Sequence, residues 1–243
     1  MGTSASIQGY YVSRGCRLTE IAGSFHPTTS PTSIPTQISF NQRGTVLSVV
    51  EPFTAADGDI DIFPVDHRGV AGNPVVSPST GHNPYGEAWD SHDHLTVTNQ
   101  YLVNPPAGTV SSYRLEHNNT LTPISQAPAP GHPCWNQITN NDKFLYTTQP
   151  AGPIVGEHSI DIFRIGHHGT LTPAGPGQNT MYNAVDEALS HDSHYLYVLS
   201  DGLLPFVPFS AINEYSIDSD TGQLTPIGVI QLPNNATSGL AGW

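Results

Sequence analysis

The sequence predicts an all-β protein, a β-propeller of four-stranded blades. Three observations carry that expectation. The chain repeats itself about every 50 residues, each repeat holds four short strand-like runs, and no long segment has the 3.6-residue period of a helix. The repeat shows first in "NNTLTPI" from Asn118, "HGTLTPA" from His168 and "TGQLTPI" from Thr221. Before each stands a run closing on an aromatic: "SIQGY", "DIDIF", "TVSSY", "SIDIF" and "AINEY", ending at Tyr10, Phe63, Tyr113, Phe163 and Tyr215. In the second copy the Leu-Thr is lost, but "GVAGN" keeps its place.

Two further runs recur in the same frame. One is "LSVVEP" from Leu47, "LTVTNQ" from Leu95, "LYTTQP" from Leu145 and "LYVLSD" from Leu196. The other is "PTQISF" from Pro35, "PYGEAW" from Pro84, "PCWNQI" from Pro133 and "AVDEAL" from Ala184. All are rich in Val, Ile, Thr, Tyr and Phe and are bounded by Gly, Pro, Asn and Asp, which are strand and turn signals. Four strands per repeat make a propeller blade. Named A to D from the axis outward, the runs begin with C and D (Ser6 to Ile21), continue through four A-B-C-D rounds, and end on a lone A-like segment, "SGLAGW" from Ser238. Leu-Thr-Pro opens the outermost strand, where one edge has no ladder partner and proline is tolerated. About five blades are detectable, and residues 1–243 read as a single propeller domain. The expectation is a ring closed by pairing the last A with the first C and D, although a B strand for that shared blade is missing. The rival is an arc completed by another chain, so an oligomer is expected if the ring does not close.

The chain of 243 residues carries 7 Lys and Arg against 20 Asp and Glu, a formal net charge of −13. That balance disfavours nucleic acid and anionic membrane surfaces as partners. No apolar run is long enough to span a bilayer. The N-terminus "MGTSASIQGY" lacks the basic and apolar regions of a signal peptide, so the expected location is cytoplasmic if the chain is complete and secreted if a leader precedes it. Cys16 and Cys134 are expected to be free thiols, one in a rim turn and one in an inner strand.

Several stretches resemble the lactonase-like seven-bladed β-propeller family, which includes propeller-type 6-phosphogluconolactonase and fungal 3-carboxymuconate cyclase. These are "TVSSYRLEHNNTLTPIS", "PCWNQITNNDKFLYTTQP", "IDIFPVDHRGVAGNP" and "IDIFRIGHHGTLTP". The resemblance covers nearly the whole chain. It implies seven blades in a longer chain, of which this one matches the C-terminal part, and an enzyme that opens or closes a lactone or isomerises a related small acid. Where that family has Asp-Gly in the A–B turn, this chain has "QRG", "SHD", "NND" and "HDS", which reads as drift on the surface.

Stacking the four A runs aligns Ile38, Glu87, Asn136 and Glu187, with Gln37, Gly86, Trp135 and Asp186 beside them. Inner strands have no structural need for carboxylates, so Glu87 and Glu187 are the candidate general acid/base groups at a channel mouth, with His132 as a third. Asn136, Gln137, Asp186, Arg114, Trp135 and His82 are the candidate substrate-binding residues. As channel groups the two glutamates are expected to be hydrated and to matter little for stability. The alternative is a non-catalytic binding or scaffold propeller whose polar channel only holds water. His67, His117 and His167 fall in C–D turns as exposed rim residues, while His92, His94, His191 and His194 belong to A–B turns of different blades and are not expected to converge on a metal. No motif calls for a cofactor, and the expected partner is a small-molecule substrate.

Overall fold

The computed structural model describes residues 5–29, 33–54, 57–100, 108–129, 131–150, 159–181, 183–201, 210–232 and 239–242. Among these there is no helix; twenty strands form six antiparallel sheets. The first four strands, β1 (Ser6–Ile7), β2 (Tyr10–Val12), β3 (Leu18–Glu20) and β4 (His26–Pro27), are one bent hairpin: β1 pairs with β4 and β2 with β3. This N-terminal half-blade has the C and D positions only.

Four full blades follow, each paired in chain order from the axis outward. Blade I is β5 (Gln37–Phe40), β6 (Val46–Glu51), β7 (Asp59–Pro64) and β8 (Val75–Pro78). Blade II is β9 (Pro84–Trp89), β10 (His94–Asn99), β11 (Thr109–Leu115) and β12 (Leu121–Pro128). Blade III is β13 (Asn136–Ile138), β14 (Phe144–Thr148), β15 (Ile160–Ile165) and β16 (Leu171–Pro173). Blade IV is β17 (Asn183–Leu189), β18 (Tyr195–Asp201), β19 (Ser210–Ile217) and β20 (Leu224–Leu232). Leu-Thr-Pro opens the outermost strand of blades II, III and IV, as its tolerance of proline requires.

Strand pairing confirms the sequence alignment: Ile38, Glu87, Asn136 and Glu187 sit opposite Val49, Val97, Thr147 and Val198. Side chains alternate across a strand, so each sheet offers one row to the blade before it and one to the blade after. The core lies between sheets. Val46, Val50, Ile60 and Ile62 of blade I pack with Trp89, Leu95, Tyr113 and Leu121 of blade II. Phe144, Tyr146, Ile160 and Ile162 of blade III pack with Leu196, Tyr215 and Leu224 of blade IV. The Trp89 indole donates to Ser48 Oγ across the first of these seams at 2.9 Å.

The A–B turns correct one sequence expectation. Their left-handed position is held by Gly44, Asp93, Asp142 and Ser193, with φ of 65°, 61°, 56° and 55°. The three non-glycine residues are clamps between blades. Asp93 accepts from Asn41 Nδ2 at 2.9 Å and pairs with Arg43, Asp142 accepts from the Ser91 N–H at 3.2 Å, and Ser193 Oγ accepts from the Asn140 N–H at 3.0 Å. Departure from Asp-Gly here is a change of seam chemistry, not surface drift.

Closure within one chain is not what the described residues show. Residues 239–242 form no strand, and no described strand of the half-blade pairs with blade IV. Leu240 nevertheless takes an inner-strand place. Its N–H donates to Asp186 Oδ2 at 2.7 Å, as the Glu87 N–H donates to Gln37 Oε1 at 2.7 Å at the seam of blades I and II. Ser238, Trp243 and Met1 to Ser4 lie outside the described residues. Cys16 is exposed, Cys134 half-buried, and both are free.

Candidate functional site

The inner-strand carboxyls do not line a water-filled channel. Glu87 is buried between blades I and II and accepts from Ser39 Oγ at 2.9 Å. Burial pushes its carboxyl up to about 8, against the pull of the Ser48 and Ser39 hydroxyls. Glu187 is buried between blades III and IV with both carboxyl oxygens unpartnered among the described residues. Burial, then the charge of Asp186, holds it well above the usual carboxylate range. At about 8, the Glu87 carboxyl is mostly protonated at neutral pH. The physical reason for the correction is the pleat: this row faces the preceding sheet, not the axis. Asn136 in the same row is buried too, its Nδ2 3.3 Å from Thr96 Oγ1.

The other expected residues scatter. Arg114 is exposed at the outer end of β11 and pairs with Glu116 at 2.8 Å, far out on the sheet from the inner strands. His82 is exposed, 3.1 Å from Asp57. His132 is half-buried, its Nδ1 without a partner among the described residues. The Trp135 ring is tilted against Tyr85 at 5.4 Å between centroids, and a side chain at Gly86 would strike the Cys134 carbonyl. Asp186 is half-buried and raised by burial, offset by the N–H groups of Glu187 and Leu240. The A–B turn histidines remain divided between two seams: His92 lies beside His167 at 6.4 Å, while His191 and His194 belong to blade IV. Among the described residues no three His, Cys, Asp or Glu converge on a metal position.

One buried acid pair escaped the sequence reading. Glu51 and Asp61 are both enclosed on the half-blade side of blade I and share the Thr29 N–H at 3.1 and 2.9 Å. Burial, with Glu51 beside it, pushes Asp61 up to about 7. The signal was available: each acid interrupts an apolar run at an inward pleat position, in "LSVVEP" and "DIDIF".

A cavity of about 640 Å³ is lined largely by apolar groups of the half-blade and blade I, including Ile7, Tyr10, Ile38 and Phe40. It occupies the place of the strands that the half-blade lacks. A second cavity of about 420 Å³ has a different character. Gln137 and Asn140 of blade III, Ser190 and His191 of blade IV, and the Leu240–Gly242 segment surround it. Asp186 fixes that segment through Leu240, so one expected binding residue lines the cavity and another holds its wall. Gln137 has no side-chain hydrogen bond among the described residues, while Asn140 is engaged by the blade IV turn. Among the described residues no Arg or Lys lines the cavity.

No family model and no curated protein matches the chain. Solved structures do. A candidate 6-phosphogluconolactonase from Bacteroides fragilis is 18% identical, with TM-score 0.68, over 94% of this chain and 65% of that one. The periplasmic gluconolactonase of Pseudomonas aeruginosa is 19% identical, with TM-score 0.69, over 92% of this chain and 63% of that one. A protein from Lactobacillus plantarum is 12% identical, with TM-score 0.73, over 97% and 67%. The chain thus spans about two thirds of the length of these proteins. At such identities the likeness concerns backbone architecture, and the chain has the fold of the lactonase-like β-propellers.

Proposed function

We propose that this protein opens a small, unphosphorylated lactone in the cavity between blades III and IV. The observation that carries the reading is the meeting there of an imidazole, His191, with an uncommitted amide, Gln137, in about 420 Å³ of space. That volume is in the range of small-molecule sites. Lactone hydrolysis needs little more. A base takes a proton from water as it attacks the carbonyl, a donor stabilises the developing oxyanion, and the ring oxygen leaves with a proton. His191 is the base and then the acid, and Gln137 Nε2 is the oxyanion donor. The absence of cations among the lining residues favours a neutral sugar-like lactone over a phosphorylated one. Support also comes from the fold shared with a protein named as a gluconolactonase and with a candidate 6-phosphogluconolactonase.

The test is acid release from glucono-δ-lactone in a pH-stat, corrected for spontaneous hydrolysis. His191→Gln is expected to lower the catalysed rate by about 100-fold or more, and Gln137→Ala by a similar order. No rate above background, or a His191→Gln rate equal to the parent, overturns the proposal. The buried, seam-forming role of Glu87 favours a second reading, a propeller that binds without turnover. Saturable thermal stabilisation by the same lactone with no acid release would select it.

A further inference from the structure

We propose that the rim of the seam between blades II and III binds a divalent transition-metal ion such as Zn²⁺, held by His92 from blade II and by His167 and His168 from blade III. In sequence these residues stand apart, since His92 belongs to an A–B turn and the other two to a C–D turn. The fold brings the two kinds of turn together where consecutive blades meet. The ring of His92 is 6.4 Å from that of His167, and the rings of His167 and His168 are 4.7 Å apart at 83°. As the side chains stand, no three donors converge on one point among the described residues. Two come close: His167 Nδ1 and His168 Nδ1 are 3.4 Å apart. Two nitrogens on one tetrahedral zinc, at the usual bond length, stand about 3.3 Å from each other and their ring centres about 5 Å.

The surroundings seat both turns and orient the rings. His94 is buried beneath the cluster, its Nδ1 2.7 Å from Oδ2 of the buried Asp90 and its ring 6.2 Å from that of His92. Its Nε2 has no hydrogen bond among the described residues. Gly169 rests on the same ring: a side chain there would come within 2.9 Å of His94 Cγ. The turn that carries His167 and His168 is thereby seated on blade II. His92 Nδ1 lies 3.4 Å from Asp142 Oδ2 and 3.3 Å from Ser91 Oγ, which leaves Nε2 as its ligating nitrogen. A carboxylate behind an imidazole is the arrangement that orients histidine ligands and raises their basicity.

The donor set selects the class of ion. Imidazole nitrogen suits zinc, copper and nickel, whereas magnesium and calcium take oxygen. Three imidazoles leave one tetrahedral position to water. His92, His167 and His168 are all exposed, so side-chain rotation alone can draw the His92 ring in by the distance of about 1 Å that separates it from ligating geometry. A net charge of −13 favours a cation as ligand. Because the ligands come from two blades, the bound ion clamps their seam, and its binding free energy adds to the stability of the folded chain. This rim site is separate from the cavity between blades III and IV.

Isothermal titration of the untagged chain with zinc chloride tests this directly. The expected result is saturable binding that magnesium and calcium chloride do not reproduce. His92→Gln, His167→Gln and His168→Gln should each weaken it by about 10-fold or more, as expected for loss of a ligand. His117→Gln removes an exposed imidazole from the same turn one blade earlier and should leave binding unchanged. All four positions are exposed, so the metal-free variants should melt near the parent temperature. Zinc should then raise the melting temperature of the parent and of the His117→Gln chain, and move that of the His168→Gln chain much less. A chain that takes up no zinc overturns the proposal, as does binding that is indifferent to His167→Gln and His168→Gln. Binding indifferent to His92→Gln alone also overturns it, because the ion would then not join the two blades.

Discussion

Glu87 shows how the surroundings of a residue can invert its expected role. Read as a channel carboxylate it was to be hydrated and dispensable for stability; buried beside Ser39, it is an acid kept protonated by the fold. Its carboxyl titrates near 8 when folded and near 4.5 when not. Between those values the folded chain holds a proton that the unfolded chain has lost. Its stabilising contribution is complete below about 4.5 and disappears as pH rises through about 8, at up to about 1.4 kcal/mol per pH unit. Glu87→Gln should flatten this part of the stability profile and make the variant more stable than the parent above pH 8; thermal melts across that window decide it. An unchanged slope would mean that the carboxyl is hydrated after all. The thiols divide similarly. Cys16 is exposed in its turn, while Cys134 accepts from Gln100 Nε2 at 3.0 Å and is pushed up to about 12 by burial. Folded protein should therefore modify quickly at one thiol, and denatured protein at both.

At the scale of the strand and turn, the sequence was read correctly where periodicity speaks and incompletely where direction matters. Alternating Val, Ile and Tyr runs located the strands, and their register followed from aligning Ile38, Glu87, Asn136 and Glu187. The same alignment does not say which face of a sheet meets which neighbour, so the two glutamates were assigned to the axis. Nor does it say that a turn residue reaches across a seam. Asp142 does so, accepting from the Ser91 N–H and hydroxyl and lying 3.4 Å from His92 Nδ1. Asp142→Ala should cost about 1 kcal/mol or more in chemical denaturation, because it removes the acceptor for those donors and keeps a left-handed backbone that alanine dislikes. Asp142→Gly should recover the backbone part of that loss only. His191 was placed in an A–B turn and weighed only as a metal ligand, because its neighbours in the cavity come from blade III and from residues 240–242, which lie far from it in sequence.

For the whole molecule, each sheet packs on its immediate neighbours, as in a linear array of repeats. Stability should then be graded along the arc. The half-blade, one bent hairpin of four short strands with one packed face, should exchange its amide hydrogens fastest, and blades II and III, packed on both faces, slowest. Uniform protection from end to end would contradict an open arc under the conditions of the measurement.

The indole of Trp89, buried in the seam between blades I and II with its N–H held by Ser48, gives the protein an optical probe of that seam. A tryptophan shielded from water emits at shorter wavelength than one in solvent. Replacing Trp135 and Trp243 with phenylalanine leaves Trp89 as the sole indole emitter. Its spectrum should stay blue until blades I and II separate, whatever has already happened at the ends of the arc. Compared with circular dichroism, which averages over every sheet, that single colour change would time the parting of one chosen pair of blades.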